Sequence, residues 1–592
     1  MKRKVFSGVL SAALCIAFIV PSTACKSGND GIDKSKTQLY ISNYDGGFGS
    51  QWLQNIADRF ESQYSETCFE PGVMVDGKEK KGVEIKIRPN RDTVATVIEG
   101  ATEHVFFALD MPINDLASSG KILPITDIVK EESLTDVSAG KESGTIAEKM
   151  DLTMQKALTG INDEYYALPH FMTMLGINYD AALFAREGFY FKDKGDGAAS
   201  YTEDAEENRQ YVFTADIEEA TVGPNGVRGD YDDGLPSDYE EFKALVREIY
   251  SSGVAPFIWS GNYNWYTNFI GVAAWSAYAG KDQSMLEYNF GTGGAEPVTL
   301  DYVTGIDSFG NPIIEKTEIT PENAYLNWQS AARFYSMQIE EFVLSNKNYL
   351  SEKYSGTSSH TDTQLEYVMS DLERNQPGGQ SIAMLVEGSW WYNEATEQDI
   401  FKMSEASYGN LARNRDFRFM PMPWKADGGV KEGEGRKPTV TVAMSNSDSA
   451  VINANIKNEN IIRLAKLFLK FCYTDESLAE AQLISGTPVC MNYKITEDQV
   501  ATMNNYYQSL QAVAADAEIA FLGSSHPMYV ENESTFRFDM KTVFSYKKDR
   551  NEYANPYTLF RNKQMNAYQY FQGFNRKEGW TDTYGKYFNT IG

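Results

Sequence analysis

The sequence predicts an α/β protein of two lobes, each a mostly parallel sheet flanked by helices, joined by hinge strands that cross from one lobe to the other. Three observations predict it. Short apolar strands alternate with amphipathic helices, an order that favours parallel pairing through right-handed crossovers. Residues 166–179 form a run too long and too punctuated by Thr and Gly for one ordinary core strand, and suited to crossing between lobes. At 592 residues with 42% hydrophobic composition, the chain holds ample material for at least two cores.

The chain opens on Lys2, Arg3 and Lys4, then an apolar run from Val5 to Val20, then Pro21-Ser22-Thr23-Ala24-Cys25. Basic, apolar, small is the order of a secretion signal, and an apolar run interrupted by Ser7, Gly8 and Ser11 is short for a bilayer span of about 20 residues. Small residues just before a cysteine resemble the lipobox of bacterial lipoproteins, although Ser22 stands where that motif usually has Leu. The resemblance implies a signal peptide over 1–24, acylation of Cys25 by chains such as palmitate, and a tether over 25–36. Such a protein is extracytoplasmic and lipid-anchored to the outer face of the cell membrane. An ordinary secretory signal that leaves Cys25 a free thiol is the alternative.

After the tether, Gln38 to Ser42 reads as a strand and Asn43 to Gly49 as a Gly-rich turn. Ser50 then caps a helix whose Trp52, Ile56 and Phe60 recur at four-residue intervals on one face. Strands follow at Val83–Ile87 and Val105–Leu109, the second ending at Asp110. Beyond the crossing stretch, Ala181–Glu187 forms a helix, and Phe189 to Leu235 is a Gly- and Asp-rich insert. Pro236-Ser237-Asp238 opens a strongly patterned helix through Tyr250. A second irregular insert covers 291–321. Gln380–Val386 is a buried strand leading into Glu387-Gly388-Ser389-Trp390-Trp391, and strands at Thr439–Met444 and Ala450–Asn453 precede an amphipathic helix, Glu459–Tyr473. The expected division is 37–170 with 417–475 as lobe 1, and 171–416 with 476–592 as lobe 2.

Charge excludes some functions. With 82 acidic against 54 basic residues, and three of the cations in the leader, net charge falls from −28 to −31 once the leader is removed. That balance argues against nucleic acid and against peripheral binding to anionic lipid. Cys68, Cys472 and Cys490 are too few and too scattered for a disulfide scaffold or a zinc site; a Cys472–Cys490 bridge and buried free thiols both remain open, the second favoured. The four histidines lie far apart, and His170 reads as a structural residue rather than a catalytic base. No H-E-x-x-H pair, G-x-S-x-G elbow or G-x-G-x-x-G loop occurs, so no metal, cofactor or catalytic group is expected. The run Asp230-Tyr231-Asp232-Asp233-Gly234 misses the alternate-oxygen spacing and closing Glu of a calcium loop and reads as a solvated face.

Four stretches taken together resemble the extracellular solute-binding lipoproteins that feed ABC importers, in their carbohydrate-binding branch. They are Leu168-Pro169 through Gly176-Ile177-Asn178-Tyr179-Asp180 with Leu183-Phe184 and Gly188; Pro236-Ser237-Asp238-Tyr239-Glu240-Glu241-Phe242; Ala383-Met384 through Gly388-Ser389-Trp390; and Leu464 to Phe471 followed by Gly486-Thr487-Pro488. The likeness lies in their order along the mature chain. It implies a two-lobed periplasmic-binding-protein-like fold that encloses a sugar by hinge closure, an ABC permease as membrane partner, and a monomer. The departure is length, through the inserts 189–235 and 291–321.

Sugar rings have apolar faces and a belt of hydroxyls, so their sites need flat aromatics with aimed amides and carboxylates. Residues 259–266, with Tyr263 and Trp265, concentrate aromatics and amides directly after a strand. Of Trp390 and Trp391, the resemblance favours Trp390 as platform, the other packing in the core. The turn Asn43 to Gly49 lies where open α/β sheets bind ligands. There the resemblance implies Asp45 as hydroxyl acceptor, with Tyr44 or Phe48 as aromatic edge. Asp110 is a weaker acceptor, and Glu387 either reaches the cleft or is a buried capping carboxylate. A secreted glycoside hydrolase with paired carboxylates, or a surface glycan-binding module without a permease, is the alternative function.

Overall fold

The computed structural model describes residues 31–90, 98–202, 210–292, 296–422, 440–444, 448–536, 544–546 and 554–590. The leader and Cys25 lie outside them. In chain order the sheet strands are β1 (Thr37–Tyr44), β2 (Val83–Asn90), β3 (Val105–Leu109), β4 (Leu168–Pro169), β5 (Ile177–Asp180), β6 (Ala255–Ile258), β7 (Ile382–Val386), β8 (Phe417–Met420), β9 (Thr441–Met444), β10 (Asp448–Ile452) and β11 (Glu518–Phe521). The helices that position the site are α1 (Gln51–Gln63), α2 (Tyr239–Ser251), α3 (Asn268–Asn289), α4 (His360–Ser370), α5 (Trp391–Glu397), α6 (Glu459–Cys472), α7 (Asp475–Ser485) and α8 (Asn505–Asp516).

The first sheet has the order β2-β1-β3-β10-β4, and the second β6-β7-β5-β8. β2, β1 and β3 are parallel, and β10 runs against both β3 and β4. β6 and β7 are parallel, and β5 runs against both β7 and β8. Each sheet is thus mostly parallel with a single reversed strand, and in each the reversed strand is the one by which the chain arrives from the other lobe. Pro169, which has no N–H for a ladder, sits in the edge strand β4.

Alternation explains the packing. On β3, Val105 and Phe107 face one core, while Phe106 and Ala108 face another with Val451 of β10. α1 lays Trp52, Leu53, Ile56 and Phe60 on the first of these; each large side chain fully buried this way contributes about 1.5–3 kcal/mol. That core continues through Phe171, Met172 and Met174 to Leu385 and Trp391 beneath the second sheet, whose other face belongs to a separate core with Phe257, Met384 and Trp275. α2 forms as its sequence requires: Asp238 accepts from the Glu241 amide at 2.8 Å, and Phe242, Leu245, Val246 and Ile249 are buried.

Three differences from expectation concern the crossings. The 166–179 stretch does join the sheets, but as two short strands, β4 and β5, with a non-strand link between. β8, expected in lobe 1, pairs with β5 in the second sheet, so the boundary at 417 falls later. α7, expected in lobe 2, packs on α1 and buries Leu478 and Ala481 in the first-lobe core. The chain then returns along the first crossing, where Met172 N–H donates to Pro488 O at 2.7 Å, and α8 packs on β8. The inserts each contain a hairpin: Tyr190–Phe191 with Phe213–Thr214, and Thr299–Ile306 with Pro312–Glu318.

Cys472 and Cys490 are buried free thiols, and Cys68 is free as well. His170 is enclosed by Trp52, stacked at 4.4 Å, and by the edges of Phe107, Phe171 and Tyr473; burial pushes its pKa down to about 3, so it is a neutral core residue. Among the described residues no helix is long and apolar enough to cross a membrane.

Candidate ligand site

Parallel neighbours end at the same edge, so β1 and β3 deliver Tyr44, Asp45 and Asp110 to one edge of the first sheet, and β6 and β7 deliver residues 259–266 and 387–390 to one edge of the second. These two carboxyl edges meet. Asn393 of α5 donates its Nδ2 to Gly47 O at 2.9 Å across the junction, and a Cβ placed on Gly47 would lie 2.9 Å from Trp390 Cβ. Gly47, at φ 78°, is therefore fixed as glycine twice over, by its backbone and by the approach of the other lobe.

The first-lobe wall is a braced turn. Asn43, fully buried, donates its Nδ2 to Gly49 O at 3.1 Å and Ser50 Oγ at 3.0 Å; Asp45 O accepts from the Gly49 amide, and Trp52 Nε1 donates to Gly49 O. Ser50 stands at the N-cap of α1 but spends its hydroxyl on Asn43 rather than on the helix. The Tyr44 ring folds across Gly46, where a Cβ would lie 2.6 Å from the phenol oxygen. Phe48, read as a possible aromatic edge, is instead core: it is 4% exposed and stacks on Phe171 at 4.4 Å. The space between Trp52 and the crossing strand accepts its ring, which removes it from the ligand wall. Asp45 is half-buried, and Asp110 is exposed with φ 55°.

The second-lobe wall is built of side chains. A buried network sets its base: Asn178 Nδ2 donates to Glu387 O at 3.0 Å, Tyr506 OH donates to Asn178 Oδ1 at 2.7 Å, and Ser389 exchanges hydrogen bonds with the backbone of Met174. The adjacent tryptophans part company here. Trp391 is fully buried among Tyr367, Phe417 and Tyr506. Trp390 is half-buried, lies across Gly388, meets the edge of Phe269 at 5.7 Å and packs against both cores.

Phe269, which meets Trp390, also contacts Trp265 and Tyr266; beyond them stands Tyr263, 41% exposed, 5.9 Å from Trp265 and stacked on Tyr266 at 6.0 Å. Burial first, then the neighbouring Glu387 and Glu394 carboxyl groups and the phenols of Tyr44 and Tyr263, raise the Tyr266 hydroxyl above its usual range. Glu387 is 1% exposed; burial first, then the neighbouring Glu394 carboxylate, push its pKa well above the ordinary value, with Gln364 and Trp390 opposing. Glu394 accepts from Gln364 Nε2 at 2.8 Å and faces His360 Nε2 at 3.2 Å.

The structure therefore gathers Tyr44, Tyr263, Trp265, Glu387 and Trp390, places Asp45 and Asp110 at the same sheet edge as Tyr44, and removes Phe48. It adds Tyr266, His360, Gln364, Asn393 and Glu394. His360 and Gln364 are one turn apart on α4, as are Trp390 and Glu394, so the i,i+4 spacing was the available signal. Aromatic faces beside a carboxyl, a carboxylate and amides can stack on apolar C–H faces and bond hydroxyls.

No protein-family model matches the chain, and no curated protein matches it in sequence. Solved structures similar to it include an SBP, RafE, in complex with raffinose (13% identity, 94% of this chain and 100% of that chain, TM-score 0.47). Others are a chitin oligosaccharide binding protein (15% identity, 94% and 99%, 0.47) and the apo-form of RafE from Streptococcus pneumoniae (14% identity, 94% and 98%, 0.46).

Proposed function

We propose that this protein captures a sugar or oligosaccharide between its two lobes and serves as the extracytoplasmic binding subunit of an ABC importer, without chemistry of its own. The observation that supports the reading is the meeting of two carboxyl sheet edges, with Trp390 beside Glu387 and with Tyr266, packed on Tyr263 and Trp265, within reach of the fields of Glu387, Glu394 and Tyr44. Aromatic platforms beside two carboxyl groups suit a ligand that is apolar on its faces and hydroxylated at its rim. Trp390 is the platform in this reading, Glu387 and Asp45 are hydroxyl partners, and Asp110 is a peripheral acceptor. The hinge is the set of crossings that join the sheets, and acylated Cys25 holds the protein beside its permease.

A thermal-shift screen of the mature protein across mono- and oligosaccharides, with peptides and polyols as controls, tests it. Saturable stabilisation by a carbohydrate is expected, because a ligand that binds only the native state raises the melting point. A flat response to every sugar overturns the ligand class, and turnover of a labelled oligosaccharide overturns the absence of catalysis.

A further inference from the structure

The acidic run in the first insert is not a solvated face. Asp232 is fully buried and Asp233 is 6% exposed. With Asp230 they bring one carboxylate oxygen each within 4.8 Å of one another. The loop is shaped to hold them so: Asn225 N–H donates to Asp232 Oδ2 at 3.1 Å, Gly229 N–H to Asp233 Oδ2 at 2.7 Å, and Asn225 Nδ2 to Asp230 Oδ2 at 2.7 Å. A Cβ on Gly223, at φ 65°, would collide first with the Asp232 carbonyl and would also fall 2.6 Å from Asp232 Oδ1, so the glycine makes room for both backbone and carboxylate of Asp232.

What the loop does not supply is a partner for the remaining oxygens. Asp232 Oδ1 and Asp233 Oδ1 are both buried without a hydrogen-bond donor. Among the described residues no Lys or Arg lies within ion-pair distance of any of the three; Arg228 pairs with Asp193 and acts on Asp233 only from farther off. Buried carboxylates left this way are costly unless protonated or joined to a cation. Burial first, then the Asp230 carboxylate, raise Asp232 well above its usual range; burial raises Asp233 to about 6 against the opposing Gly229 amide and Arg228 charge.

We propose that Asp230, Asp232 and Asp233 bind a divalent cation of the calcium type, which clamps the 189–235 insert to the end of α8. The donors are all hard oxygens, and a cation that holds oxygens at about 2.3–2.6 Å fits between atoms spaced as these are. The link to α8 is direct: Asp516 accepts from Tyr231 OH at 3.1 Å and from Asn225 Nδ2 at 3.4 Å. α8 in turn packs on β8, so the ion would tie a peripheral insert to the second sheet.

The mature protein, stripped with EGTA and titrated with CaCl2 or with terbium, decides the matter. Calcium is expected to raise the melting temperature by about 2–4 °C, and magnesium less. Terbium luminescence is expected to be sensitised through Tyr231, and cleavage by protease within the insert to slow when calcium is added. Asp232→Asn is expected to abolish these responses; should it fail to fold, the half-buried Asp230→Asn provides the same comparison. No calcium shift and no terbium signal at millimolar metal overturn the proposal, as does an undiminished response in whichever variant folds.

Discussion

The two walls of the cleft are made of different materials. The first lobe offers backbone: a glycine-rich turn braced by Asn43, with Gly47 presenting a carbonyl to Asn393 and Phe48 turned into the core. The second lobe offers side chains: Trp390 beside Glu387, and the cluster of Tyr263, Trp265 and Tyr266 joined to Trp390 through Phe269. The difference separates two tasks. In the proposed function, a ligand laid on the second lobe alone would meet most of the recognition chemistry, and the first lobe would then seal it by close approach.

That division can be broken most forcefully at Trp390. Trp390→Ala is expected to lower affinity for the identified carbohydrate about 100-fold, since central aromatic anchors dominate such interfaces; calorimetry showing unchanged affinity would place recognition elsewhere. Glu387→Gln removes an ionisable group whose burial favours the neutral form, so affinity is expected to fall about tenfold while the melting point at pH 7 rises.

On the first-lobe side the expected effects are smaller and concern closure. Gly47→Val must strain its backbone and push against Trp390, so small-angle scattering is expected to show the liganded protein remaining more open, with affinity reduced about fivefold. Asn393→Ala deletes one buried cross-lobe hydrogen bond and is expected to cost about 1 kcal/mol of closed-state stability, read as a faster ligand off-rate.

Smallest for binding, and sharpest for the hinge, is Asp448→Asn at the start of β10. Burial raises Asp448 from 3.8 to about 7. A carboxyl raised in the folded state favours folding fully below pH 4, and that contribution is lost as pH rises from about 4 to 7. The lost contribution is about 4 kcal/mol. The variant is expected to melt higher than the parent at pH 7.5 and near it at pH 4, with ligand affinity unchanged when both are compared at one pH.

Much of this architecture was legible because local period and burial agree. The four-residue spacing of Trp52, Ile56 and Phe60 appears as α1, and the capped pattern after Asp238 as α2. Sheet membership was less legible: β8 and α7 are ordinary apolar elements whose lobe is decided by partners far along the chain. Phe48 reads as a turn residue, yet its burial depends on the hole that Phe171 helps to make 123 positions later. Glu394, His360 and Gln364 show helical spacing, but spacing does not say which exposed pair faces another lobe.

The reversed strand β10 has a consequence for biosynthesis. It lies between β3 and β4, so the first sheet is split in two until residues 448–452 arrive. α6 and α7, which cover that lobe, come later still. A nascent chain therefore completes its earliest lobe only after the whole second sheet has been made, and until then β3 presents an open edge with Phe106 and Phe107.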